Sequence, residues 1–152
     1  MITIRDASME DAEAIARFSA ALAFETEAIE LDRRRLLDGV RALLSDPQKG
    51  RYFIAEIDGE VAGQTSVTYE WSDWRNGAFW WIQSVYVDPA HRKRGVYRAL
   101  HNYIQQKAQQ AGSIGLRLYV EKENASAQEA YRVMGMTECP YQMFERAFQP
   151  FW

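Results

Sequence analysis

Two periods of apolar positions divide the chain. A short run at 2–5 reads as a first strand, and Ser8-Met9-Glu10-Asp11 then has capping-box spacing: Ser8 can accept from an orphan backbone N–H while Asp11 reaches back. Ala12, Ile15, Ala16, Phe18 and Leu22 recur at helical spacing. A second helix begins near Asp32, carries Leu36, Leu37, Val40, Leu43 and Leu44 on one side, and stops at Asp46-Pro47. From Arg51 the period becomes two. Strands are predicted at 52–57 and 60–69, joined by Asp58-Gly59, a two-residue hairpin turn in which both positions need positive φ. A polar loop with Trp71, Asp73, Trp74 and Asn76-Gly77 leads to a strand at 79–87, ended by Asp88-Pro89. Val96, Ala99, Leu100, Tyr103, Ile104, Ala108 and Ala111 make the stripe of the longest helix, which Gly112 closes. A strand at 116–120, a helix at 125–134 closed by Gly135 and a last strand at 141–147 follow. The order β-α-α-β-β-β-α-β-α-β is that of a mixed α+β domain, antiparallel first, with one parallel βαβ crossover later.

Composition changes this picture little. The 152 residues fit one domain, 1–152, large enough for a core without disulfides or metal. A net charge of −3 is too mild to argue for nucleic acid or an anionic membrane as partner. The N-terminus lacks the features of a signal peptide, and the longest apolar runs, such as 78–82, are far too short to span a bilayer. Cys139 stands alone, so a cytoplasmic location is the default, and before Pro140 it reads as a structural thiol. Two separated histidines and one cysteine make no metal site. The aromatic tail Phe148-Gln149-Pro150-Phe151-Trp152 is expected to pack on its own domain or on a second copy, which would make a homodimer.

Candidate chemistry concentrates at 84–100. A strand runs into a helix through Arg92-Lys93-Arg94-Gly95, three basic residues and a glycine. The first amides of a helix have no intrahelical acceptor and lie at the positive end of its dipole, so such a turn can hold a phosphate. It can equally be a solvated basic turn, and physics alone does not choose.

Arg92-Lys93-Arg94-Gly95-Val96-Tyr97 resembles the pyrophosphate-binding signature of the GNAT acetyltransferases, Arg/Gln-x-x-Gly-x-Gly/Ala, with Tyr97 in place of the last small residue. Asn124 to Met136 is similar to the same family's Asn-x-x-Ala-x-x-x-Tyr-x-x-x-Gly-Phe, through Asn124, Ala127, Tyr131 and Gly135, with Met136 in place of Phe. Ile4-Arg5-Asp6-Ala7 followed by Asp11-Ala12 resembles the family's opening. The resemblance implies a central, mostly antiparallel sheet of six to seven strands, splayed between 79–87 and 116–120 at the cofactor site and flanked by about four helices. It implies acetyl-CoA as acyl donor, held by the backbones of Val85 and Val87 with Tyr86 between them in the cofactor-binding strand, by the turn Arg92, Lys93, Arg94, Gly95, Val96, Tyr97 and Arg98, and near Asn124 and Tyr131. It further implies direct attack of a primary amine of a small molecule or peptide on the thioester, with a strand amide near Val85 polarising the carbonyl and Tyr131 giving the leaving thiolate its proton.

The resemblance leaves the base unassigned. Trp81 stands about where some members carry a Glu; Glu70, Asp73 and a water chain ending at Glu25 are the remaining acidic candidates. His91 belongs to the phosphate turn, and His101 reads as lying on the helix flank. Trp71, Trp74, Trp80, Trp81 and Phe24 crowd the acceptor side, as pocket, core or dimer contact. The missing Glu and Tyr97 keep a second reading open, a non-catalytic CoA- or acyl-CoA-binding sensor or partner module; a longer acyl group or an oxygen acceptor is a third.

Overall fold

A computed structural model describes all 152 residues, in two compact units, Met1–Tyr119 and Val120–Trp152. In the first, the period-two segments assemble into one five-stranded sheet in chain order, β1 Ile2–Asp6, β2 Arg51–Ile57, β3 Glu60–Ser72, β4 Gly77–Val87 and β5 Gly115–Arg117. All neighbours are antiparallel except β4 and β5, which the crossover makes parallel. The helices of this unit are α1 Ala12–Glu27, α2 Arg33–Leu44 and α3 Val96–Gln110.

Strand alternation sends the apolar residues to two faces. Phe53, Val67, Trp80 and Ile82 pack with Ile104 and Ala108 of α3, and Ala55, Ile57 and Ala62 with its Val96 and Leu100. On the other face Ile54 packs with Ala12 and Ile15 of α1 and Val40 of α2. Asp58 and Gly59 take φ +52° and +82°, as the hairpin requires. At the N-terminus, Asp11 accepts from the Ser8 N–H at 2.7 Å and pairs with Arg5 at 2.8 Å, which also reaches Glu56.

The expected loop after residue 69 is mostly strand. The β3–β4 ladder continues through Glu70↔Phe79, Trp71↔Ala78 and Ser72↔Gly77, so only residues 73–76 turn, with Asn76 at φ +50°. The expected strand at 116–120 shortens to three residues, because its ladder with β4 ends at Trp81↔Arg117. The sheet therefore has five strands rather than six or seven. A strand exists only where its backbone finds a ladder partner, and 141–147 forms none; Tyr141, Met143 and Phe144 are exposed.

In the second unit Asn124 caps α4, Ala125–Val133, by accepting from the Ala127 N–H at 3.1 Å. Its end is a Schellman turn: Gly135 takes φ +92° and the Met136 N–H donates to Tyr131 O at 3.0 Å. Residues 137–152 form neither helix nor strand; Phe148 is 94 % exposed, and the Phe151 and Trp152 rings meet edge to face with centres 5.8 Å apart.

Gly63 is where β3 most needs glycine. A Cβ there would lie 2.6 Å from Tyr86 O, backbone that cannot swing aside between two central strands. Gly63→Ala is expected to cost about 2–3 kcal/mol of stability, read as a fall of roughly 4–12 °C in the thermal midpoint; an unchanged midpoint would mean that β3 and β4 can part at this point.

Candidate active site

The open edge of β4 is the centre of the site. Asp88 N–H donates to Ala62 O at 2.8 Å, and Val87 stands opposite Gly63. Antiparallel ladders alternate, so Ser84 and Tyr86 turn their N–H and C=O groups toward β3, while Val85 and Val87 turn theirs away from it. On that outer side β5 pairs only with Phe79, Trp80 and Trp81. Val85 and Val87 thus present backbone donors and acceptors along an edge that no strand covers. Their side chains fill the core against Val96 and Leu100 of α3.

A bulge marks the start of this edge. Ser66 faces Ser84 and Val67 faces Ile82, which leaves Gln83 as the extra residue of β4. Its amide Nε2 donates to Thr68 Oγ1 at 2.9 Å. Beside it lies a buried polar group: Ser66 and Ser84 hydroxyls 2.8 Å apart, Thr65 Oγ1 donating to Ser84 O at 2.8 Å, and fully buried Gln64 donating to Ser84 Oγ at 3.3 Å.

The edge ends in the basic turn. Asp88 Oδ1 accepts from Ala90 N–H at 2.9 Å and caps a short 3₁₀ turn at Pro89–His91. Lys93 and Gly95 then take φ +62° and +86°, which folds the chain back into α3. The first helical hydrogen bond runs from Ala99 N–H to Gly95 O at 3.0 Å, so the amides ahead of it have no acceptor within the helix. Lys93, Arg94 and Arg98 surround this helix start with positive charge.

Arg92 is held differently. Its Nε donates to Val87 O at 3.1 Å, and its Nη2 to Glu25 Oε2 of α1 at 2.9 Å. Glu25 Oε1 accepts from the hydroxyl of buried Tyr86 at 2.8 Å, and Tyr86 packs on Phe18 with ring centres 5.4 Å apart. Burial acts to raise the Glu25 pKa, but the hydrogen bonds from Tyr86 and Arg92 and the Arg92 charge outweigh it and hold the carboxyl below its ordinary value. Burial, and then the bond to Glu25, push the Tyr86 phenol up.

Of the three acidic base candidates, two are paired with arginines, and the third, exposed Asp73, accepts from the Trp74 N–H at 3.0 Å. Glu25 is paired as described, and Glu70 Oε1 accepts from Arg117 at 2.6 Å, whose guanidinium lies 3.7 Å over the Phe79 ring. Trp80 is core, Trp81 lies 6.2 Å from the Tyr119 ring, and Trp71, Trp74 and Phe24 are exposed. His101 does not lie on the helix flank: it is 4 % exposed within the buried stripe of α3 beside Leu100 and Ile104, and burial pushes its pKa down. Asn124 and Tyr131 belong to the second unit, as the cap of α4 and a residue of its last turns. The bulge at Gln83, the polar group around Ser84 and the Glu25–Tyr86–Arg92 cluster have no local sequence signal.

Comparison with known proteins places the chain among acetyltransferases. The profile of the Acetyltransferase (GNAT) family matches residues 10–136. Streptothricin acetyltransferase of Streptomyces lavendulae is 34% identical over 103 residues, 67% of this chain and 52% of that protein, so the chain spans about half that relative's length. L-methionine sulfoximine/L-methionine sulfone acetyltransferase of Salmonella typhimurium is 30% identical over 141 residues, 90% of this chain and 80% of that one. The crystal structure of a possible acetyltransferase from Clostridium difficile 630 superposes with a TM-score of 0.93 at 47% identity, covering 99% of each chain.

Proposed function

The chain belongs to the GNAT acetyltransferase family, and from that premise we propose that it moves an acetyl group from acetyl-CoA to a primary amine of a small molecule or peptide by direct attack within a ternary complex. The observation that carries this reading is the uncovered β4 edge at Val85 and Val87, running straight into a positive helix start. Val85 and Val87 would pair with the pantetheine arm as a further strand would. Lys93, Arg94, Gly95, Val96, Tyr97 and Arg98 would hold the pyrophosphate by amides and charge, with Arg92 beside them. The outward amide of Val85 is suited to polarise the thioester carbonyl.

The amine must lose its proton before it attacks, since a free alkylamine has a pKa near ~10. As the new C–N bond forms the C–S bond breaks, and the departing thiolate takes a proton. Tyr131, by its place in the Asn124–Gly135 motif, is the donor proposed here. Glu25 and Glu70 are committed to arginines and Asp73 is exposed on the β3–β4 turn, so the base stays unassigned. We further propose that residues 1–152 work as one acetyltransferase domain, in the cytoplasm. Two relatives bear the names of small amine-containing acceptors, streptothricin and methionine sulfoximine, which favours a small-molecule acceptor.

The test is steady-state kinetics of CoA-thiol release against a panel of amines. Initial-velocity lines that intersect as both substrates vary support direct attack; parallel lines would signal an acetyl-enzyme and overturn it.

A further inference from the structure

Glu25 is an anion placed on the first arginine of a turn suited to bind a dianion. We propose that Glu25 is an internal counter-anion for Arg92, competing with the pyrophosphate of CoA, so that affinity for the cofactor is set partly by a contact inside the protein. The inference rests on the reading above, that CoA lies along β4 and its turn.

Glu25 is tethered from β4 independently of Arg92, and both side chains of the pair reach solvent, Glu25 40% and Arg92 45% exposed. Glu25 Oε1 accepts from Tyr86, whose ring is buried against Phe18. Oε2 accepts from Arg92, whose side chain is 45% exposed. The Arg92 guanidinium lies 5.4 Å from the centre of the Tyr86 ring, and its Nε donates to Val87 O. Val87 O belongs to the outward set on the open edge. Arg92 in this position therefore takes up a backbone acceptor that a strand-like arm would use, while its charge is neutralised by Glu25.

Magnitudes allow the exchange. A partly exposed ion pair is a weak one, worth no more than about a fivefold change in affinity. A pyrophosphate brings two charges and meets Lys93, Arg94 and Arg98 as well, so it can draw Arg92 away from one carboxylate. An ordinary surface pair would stabilise the fold slightly and leave the cofactor indifferent. A competing anion has the opposite signature: its removal makes the cofactor bind tighter.

The experiment is calorimetric titration of CoA into the unmodified chain, Glu25→Gln, Arg92→Gln and the double variant, at low and high salt. Gln is nearly isosteric, and its amide oxygen can still accept from Tyr86. Glu25→Gln is expected to tighten CoA binding about fivefold at low salt, less at high salt, and the gain is expected to vanish in the Arg92→Gln background. Unchanged or weaker binding by Glu25→Gln at an unchanged thermal midpoint overturns the proposal, as does an equal gain in both backgrounds. If instead no variant and no unmodified chain binds CoA, the functional reading itself falls and this inference with it.

Discussion

Gly95→Asp is expected to weaken acetyl-CoA binding at least about a hundredfold, or about 2.7 kcal/mol. Two effects combine. Gly95 takes φ +86° at the start of α3, where a side chain is strained whatever the space around it. Asp tolerates that region better than most residues, at a cost of about 1 kcal/mol, so the chain should stay folded. The larger effect is electrostatic. The new carboxylate would stand at the helix start, and at ~4 Å from a phosphate, with an effective dielectric constant of about 20, like charges repel by about 4 kcal/mol. Gly95→Ala carries the strain without the charge and should lose far less. Titration of both variants, with thermal midpoints recorded alongside, separates the two effects; equal losses would mean that the turn acts through its shape rather than by holding an anion.

The second large effect is expected from Tyr131→Phe. The substitution removes one hydroxyl and keeps the ring of α4, and thermal midpoint and CoA affinity are read beside the kinetics. A positioned general acid contributes about 10²–10⁴-fold, and kcat should fall by about a hundredfold or more. The loss should shrink for acyl donors with a less basic leaving thiolate, which needs the proton less. A kcat within twofold of the unmodified enzyme would remove Tyr131 from the proton transfer while leaving the acyl-transfer reading intact.

The parts of the fold legible in the sequence are those whose signal is local. Asp58-Gly59 announces its hairpin through the φ each position must take, and both residues take it. The stripe from Val96 to Ala108 follows a helical period over α3. Asn124 and Gly135 close α4 at both ends by chemistry contained within that helix. Pairing partners are a different matter. Glu70 and Ser72 look like loop residues because they are polar, yet their ladder with Phe79 and Gly77 makes them strand. The segment 141–147 has strand-forming residues but no ladder. His101 looks like a flank residue by type, whereas its place between Leu100 and Ile104 buries it.

Of the candidate site, the turn and the outward set of β4 lie within one stretch of chain and could be read there. The Glu25–Tyr86–Arg92 cluster joins residues 61 and 67 positions apart, and the Gln83 bulge depends on the register of β3, so no spacing rule reaches either. Two of the three acidic candidates, Glu25 and Glu70, are spent on arginines that come from distant elements.

The β4 edge and its basic turn are proposed to bind the acyl donor. Calorimetric titration of acetyl-CoA and free CoA into the unmodified chain tests this proposal most directly. One site per chain is expected, with a dissociation constant of about 1 μM, about −8.2 kcal/mol, weakening as salt rises because Lys93, Arg94 and Arg98 contribute by charge. Absence of binding by the folded protein at low salt would contradict it, and would leave a member of the family whose fold serves some other end.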